Sequence, residues 1–303
     1  MGKTAFLFPG QGVQTIGMGK DFYDKYEVAR NVFKTASEAS GLDVEELVFT
    51  ENDKINITEY TQIALLTTEV AILEVIKSLG VKADYCAGLS LGEYGALAAA
   101  NVMDYEDLFR IIRARGKYMQ DEYPVGGAMM AVLGLGAEEI DAVCKSIPGI
   151  VSIANDNCPG QIVITGEEEA VTNAGNELSK QGAKRCVPLK VSGPFHSKLL
   201  EGAGEKLAKD LENVKVSDPE VVYISNVTAD KVEECGCIKD LLARQVSSPV
   251  RFRESILKLK ELGVTDFIEI GPGKTLAGFV KKTDKELNVI NISSVDDLAK
   301  LDV

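Results

Sequence analysis

The stretch YCAGLSLGEYGALAAA, residues 85–100, decides the fold class. Tyr85–Ala87 is a short β-prone run, Gly88-Leu89-Ser90-Leu91-Gly92 is a turn bounded by glycines, and Glu93–Ala100 is a helix of mostly small residues. Strand, sharp turn, helix is the context in which G-x-S-x-G has chemical meaning, because it lifts a serine hydroxyl into a cleft. The helix that follows points its unpaired N–H groups and positive dipole end at any anion formed there. Ser90 is therefore a candidate nucleophile. The bland alternative is a glycine-bounded turn whose serine only caps the helix.

Outward from this unit, strand-like runs at Thr4–Phe8, Val221–Ser225, Phe267–Ile270 and Val289–Ile292 alternate with amphipathic helices such as Ile63–Leu79 and Ser255–Leu262. Thr58 stands ahead of the first helix as a possible cap, and Gly80 and Gly263 follow the two helices as stop signals. The alternation predicts an α/β protein with a mainly parallel sheet. One segment breaks the rhythm. Between Gly127 and Val191 the pattern reads strand Ala128–Leu133, helix Ala137–Ser146, strands Val151–Asn155 and Gln161–Thr165, helix Glu167–Gln181, strand Ala183–Leu189. That β-α-β-β-α-β order predicts a ferredoxin-like lobe, residues 127–191, set into a larger α/β body made of residues 1–126 and 192–303. Pro124–Gly127 and Ser192–Pro194 are the expected hinges, and Asn155–Gln161 the turn between two lobe strands.

The 303 residues are 45% hydrophobic and 26% charged, an ordinary globular balance. A formal net charge of −13 argues against nucleic acid or an anionic membrane as ligand. There is no signal-peptide pattern and no run of the length that spans a bilayer, so a cytoplasmic protein is expected. Six scattered cysteines, with Cys235-Gly236-Cys237 the only close pair, read as free thiols, and a single histidine leaves too few ligands for an ordinary zinc site.

A serine needs a base near neutral pH, and His196 is the only histidine. A lone histidine is structural by default, but this one lies in Ser192-Gly193-Pro194-Phe195-His196-Ser197, at the junction between lobes where clefts form. In the helix after Asp104, which caps it toward Asp107, the apolar stripe runs Leu108, Ile111, Ile112, Tyr118 and Met119. Arg115 falls on that stripe. A buried guanidinium needs a partner, and its planar fork suits a carboxylate of the protein or of a ligand. In the turn Phe8-Pro9-Gly10-Gln11-Gly12, at the expected carboxyl edge of the sheet, Gln11 can offer an amide donor to an oxyanion. Neither this turn nor Gly271-Pro272-Gly273-Lys274-Thr275 completes a nucleotide-binding fingerprint.

In order and spacing, FLFPGQG (6–12), GLSLGEY (88–94), RARGKYM (113–119), NDNCPGQIVITG (155–166), VSGPFHS (191–197), QVSSPVRF (245–252) and EIGPGKTL (269–276) resemble the malonyl-CoA:acyl-carrier-protein transacylase family of fatty-acid synthesis, over essentially the whole chain. The resemblance implies a hydrolase-like body with an inserted ferredoxin-like lobe. It implies Ser90 as nucleophile and His196 as base, with the backbone N–H groups of Leu91 and Gln11 as oxyanion donors. It further implies that Arg115 holds the malonyl carboxylate, that Gln245 orients His196 through its carbonyl, and that the bulk of Phe195 discourages a branched acyl group. Malonyl-CoA and acyl carrier protein are the implied partners of a monomer. No metal or redox cofactor is implied, since phosphopantetheine arrives with the carrier. An acidic carrier should dock on a local basic patch that includes Lys184, Arg185 or Lys190. The chain departs from the family at Leu89, where histidine usually precedes the nucleophile.

Rival readings remain, among them a family member that hydrolyses acyl thioesters or serves a polyketide pathway. A serine hydrolase would pass the acyl group to water, but the α/β-hydrolase order places the histidine last and uses an HGGG-type motif, whereas here more than 100 residues follow His196 and no such motif occurs. A non-catalytic module holding acyl-CoA or carrier protein would not need Ser90, His196 and Arg115 together.

Overall fold

A computed structural model describes residues 2–191 and 193–301; Ser192, one of the expected hinge residues, lies outside the described residues. The strands are β1 (Lys3–Phe8), β2 (Tyr85–Gly88), β3 (Gly127–Leu133), β4 (Val151–Cys158), β5 (Gln161–Glu167), β6 (Arg185–Pro188), β7 (Val222–Ile224), β8 (Lys231–Val232), β9 (Val264–Ile270) and β10 (Asn288–Ile292). Among the described residues they form two sheets, with orders β10-β9-β1-β2-β7-β8 and β4-β5-β3-β6. The first is parallel except for β8, which runs antiparallel to β7. The second is antiparallel throughout.

The parallel sheet is apolar in its strands because helices cover it. In β1, Ala5, Leu7 and Phe8 are fully buried, as are Cys86 and Ala87 of β2. The helix Thr58–Ser78 is buried on nearly all sides, from Ile63 to Ile76, which explains its lack of a clean amphipathic stripe. It starts at Thr58 itself, with Ile57 in the cap position, so Thr58 is a first-turn residue and not the cap. Asp104 does cap the helix Tyr105–Glu122, its carboxylate accepting from the Asp107 N–H at 2.8 Å. That helix crosses Thr58–Ser78 closely at Gly116, where a Cβ would sit 3.0 Å from the Thr58 carbonyl.

The second sheet has helices Ala137–Ser146 and Glu168–Lys180 on one face, following the β-α-β-β-α-β order. Val132, Ile140, Ile164 and Leu178 form a core there that is separate from the body's. The alternation along β3 sends Met130 and Val132 into this core and Met129 and Ala131 toward the body. β4 runs further than expected, through Cys158, leaving only Pro159 and Gly160 as the turn. The extra length is held by the body: the Asp156 N–H donates to the Val250 carbonyl, the Val250 N–H to Ala154, and Asp156 pairs with Arg253 at 2.8 Å.

Candidate active site

In a parallel sheet the strand ends gather at one edge. Phe8 pairs with Gly88, so the turns after β1 and β2 lie side by side, and β7 delivers Asn226 just beyond its end. Ser90 occupies the turn after β2, at φ 55°, in the left-handed region that a non-glycine residue enters only under constraint. The flanking glycines make this possible. A Cβ on Gly88 would fall 1.9 Å from the Gly92 backbone, and one on Gly92 would fall 2.0 Å from the Phe8 carbonyl oxygen. The Asn226 side chain braces the turn on both sides: its Oδ1 accepts the Ser90 N–H at 2.6 Å and its Nδ2 donates to the Gly88 carbonyl at 2.6 Å.

His196, also left-handed at φ 59°, is buried, with its Nε2 2.7 Å from Ser90 Oγ. Its Nδ1 lies 2.8 Å from the Gln245 carbonyl. A carbonyl only accepts, so Nδ1 carries the proton and Nε2 is free to accept from the serine hydroxyl. That carbonyl is available because Gln245 is the last residue of the helix Ile238–Gln245, where carbonyls lack helical partners. Burial, and then the charge of Arg115, push the His196 pKa down to about 4, so the ring is neutral at pH 7 and its Nε2 lone pair is unprotonated.

Arg115 lies on the buried stripe as expected and is 1% exposed. Its partners within the chain are neutral side chains and not a protein carboxylate. One nitrogen donates to Gln62 Oε1 at 2.7 Å; another donates to Gln245 Oε1 at 2.9 Å and to Ser90 Oγ at 3.2 Å. Among the described residues no Asp or Glu forms an ion pair with it, and its Nε has no hydrogen-bond partner. A buried cation held by neutral amides has unspent attraction for an anion.

The Gln11 side chain is occupied, donating to Thr58 Oγ1 at 3.1 Å. The backbone N–H groups of Gln11 and Leu91 donate to no other described residue. A cavity of about 270 Å³ opens over these groups. Gln11, Leu89, Ser90, Leu91 and His196 line it on the body side; Met129, Ala131, Asn155, Asn157 and Val163 line it from the second sheet, and Phe195 and Phe279 complete the wall. Arg115 reaches this space through Ser90 and Gln62, which both line it.

The chain matches the acyl transferase domain family model over residues 5–301. It is 46% identical to the malonyl CoA-acyl carrier protein transacylase of Bacillus subtilis, over 98% of this chain and 96% of that protein. The chain belongs to the malonyl CoA-acyl carrier protein transacylase family. The Staphylococcus aureus member of the family is 39% identical, over 98% of each chain. An acyl carrier protein S-malonyltransferase from Vibrio cholerae superposes with a TM-score of 0.95 at 40% identity, over 98% of this chain and 99% of that one. A malonyl-transacylase solved in complex with a type II PKS acyl-carrier protein gives a TM-score of 0.95 at 40% identity, over 98% of each chain.

The site brings Ser90, His196, Arg115 and Gln245 into one hydrogen-bonded group and sets Gln11, Leu91 and Phe195 around the same cavity. Sequence reasoning missed Gln62, Asn226 and the lobe amides. Asn226 had a legible signal: a polar residue directly after a strand end at the ligand-binding edge. Asn155 and Asn157 read from sequence as part of a turn. In a strand they share one face, toward the cavity, while Asp156 faces Arg253.

Proposed function

We propose that the protein transfers the malonyl group of malonyl-CoA to the phosphopantetheine thiol of acyl carrier protein, through a malonyl ester on Ser90. The observation that carries this reading is the contact of Ser90 Oγ with both His196 Nε2, at 2.7 Å, and the Arg115 guanidinium, at 3.2 Å, which among the described residues forms no ion pair with a carboxylate. A base that activates the hydroxyl and a cation that selects an acidic acyl group meet at one oxygen.

In the first half-reaction the acyl carboxylate pairs with Arg115. Ser90 Oγ attacks the thioester carbon and His196 Nε2 takes the hydroxyl proton. The N–H groups of Leu91 and Gln11 receive the oxyanion, each worth about 10²–10³ in rate. Collapse breaks the C–S bond, and the CoA sulfur leaves with the proton held by His196. In the second half-reaction the carrier thiol gives its proton to His196 and attacks the ester carbon; the C–O bond to Ser90 breaks and Ser90 Oγ takes that proton back from His196. The Gln245 carbonyl keeps the histidine in the required tautomer throughout, and no triad carboxylate is needed. Phe195, buried beside His196, limits room for a branched acyl group.

The same reading takes residues 127–191 as a ferredoxin-like lobe inserted in the body, supported by the sheet order β4-β5-β3-β6 and its separate core. It takes a single cytoplasmic chain as the working unit, in which Ser90, His196, Arg115 and Gln245 already form one hydrogen-bonded group. Lys184, Arg185 and Lys190, all exposed at the lobe's edge, would receive the acidic carrier.

The test is intact-protein mass after brief exposure to malonyl-CoA, with Ser90→Ala alongside. A malonyl adduct on the wild type alone, discharged by carrier thiol faster than by water, is the expected result. Discharge chiefly to water would make the protein a hydrolase, and no adduct would make it a binding module.

A further inference from the structure

Glu93 stands one helical turn past Ser90 and is fully buried. Its Oε2 accepts from Gln245 Nε2 at 2.6 Å and from the Asn226 N–H at 3.2 Å, while Oε1 has no partner. Both partners belong to the reaction site. Asn226 braces the strained serine turn. Gln245 offers its backbone carbonyl to His196 and its side-chain oxygen to Arg115. The Gln245 amide has one allowed orientation: its NH2 faces two acceptors, Glu93 Oε2 and the Ser90 carbonyl at 2.9 Å, so its oxygen must face the guanidinium.

We propose that Glu93 is the positioning residue of this site: it fixes the Gln245 amide toward Arg115, and its own charge state sets how much of the Arg115 charge remains for an acyl carboxylate. This rests on the reading of Arg115 given above. The other groups facing Glu93 do not compete for that role. Arg115, on the neighbouring helix, is the one cation among them; Tyr94 on its own helix and Tyr223 on β7 have burial-raised pKa values and stay neutral, and His196, near Arg115, is neutral at pH 7. Burial raises the Glu93 carboxyl to about 7, against the opposing pull of the Gln245, Asn226 and Ser225 hydrogen-bonding groups and of Arg115. Below that pH Glu93 is neutral and the Arg115 charge is undivided; above it, a second anion shares the cation. An arriving malonyl carboxylate adds negative charge nearby and drives Glu93 to take up a proton.

The experiment compares kcat/KM for malonyl-CoA and acetyl-CoA across the neutral pH range in wild type and Glu93→Gln, with proton uptake followed by indicator dye as each acyl-enzyme forms. The malonyl-to-acetyl ratio of the wild type should fall by about threefold or more as pH rises through neutrality, and the ratio should be flat in Glu93→Gln, which keeps the hydrogen-bonding oxygen but cannot ionise. Malonylation, and not acetylation, should consume protons in the wild type only. A flat wild-type ratio, or uptake that persists in Glu93→Gln, overturns the inference. If Glu93→Gln does not fold, the pH dependence of the wild-type uptake decides: uptake centred near pH 7 supports Glu93, whereas none, or uptake near pH 4 where His196 titrates, rejects it. A wild type without preference for malonyl at any pH would instead remove the reading of Arg115 on which this depends.

Discussion

The two walls of the cavity are built on different terms. The body wall places charged and polar groups under constraint. Ser90 and His196 both hold left-handed backbone, Arg115 and Glu93 are buried, and Asn226 and Gln245 tie them together. The lobe wall is one face of an antiparallel sheet, with Met129, Ala131 and Val163 beside Asn155 and Asn157. Strain is stored at the groups proposed to react, and regular structure is used where a pocket only needs a shape. The body wall should therefore be intolerant of change and the lobe wall permissive.

The largest effect expected from breaking the body wall is that of His196→Ala. It should slow malonyl-enzyme formation about 10³–10⁴-fold in single-turnover mass measurements, with binding of malonyl-CoA nearly unchanged. With the wild-type imidazole pKa at about 4, acylation of uncharged acetyl groups should hold steady from neutral pH down and drop only as the ring protonates near that value. A midpoint near 6.5 would mean the ring is solvated.

Arg115→Ala comes next. Malonyl transfer should lose about 10²–10³ in kcat/KM, the cost of leaving an acyl carboxylate without its cation, while acetyl transfer is retained or improved. Equal loss on both substrates would make Arg115 a structural residue. Asn226→Ala removes both braces of the serine turn; a loss of about 10–10² in kcat, the same for malonyl and acetyl, is expected from a displaced nucleophile. A change in KM alone would place Asn226 in substrate binding.

The smallest effect tests the lobe. Reversing charge with Lys184→Glu and Arg185→Glu should weaken transfer to carrier protein by a factor of about 3–10, lessened at high salt, with malonyl-enzyme formation untouched. An effect on acylation itself would blur the division between the two walls.

Much of the fold was legible because periodicity is local. The strand-turn-helix around Ser90, the parallel-sheet runs and the change of rhythm at residue 127 each follow from residues close in sequence. Errors arose where a distant partner decided. β4 reads as ending at Asn155, yet Val250 and Arg253 draw it on to Cys158. Thr58 looks like a cap from its neighbours, but the helix begins on it and its hydroxyl accepts from Gln11.

The sequence alone determined the candidate chemistry. A glycine-bounded serine and a single histidine restrict the nucleophile and base to one pair, and helical spacing puts Arg115 on a buried face. What only the tertiary structure decided is how those groups are paired. The register of β1 on β2 sets the turns that carry Gln11 and Leu91 side by side, and the end of a helix more than 150 residues from Ser90 supplies the carbonyl for His196 and the amide for Arg115. Burial, a property of the packed whole, then keeps the histidine neutral, and the packing leaves the arginine without a direct carboxylate contact. Spacing along a chain can say which side chains share a helix face, but hydrogen-bond partners and desolvation exist only once distant segments meet.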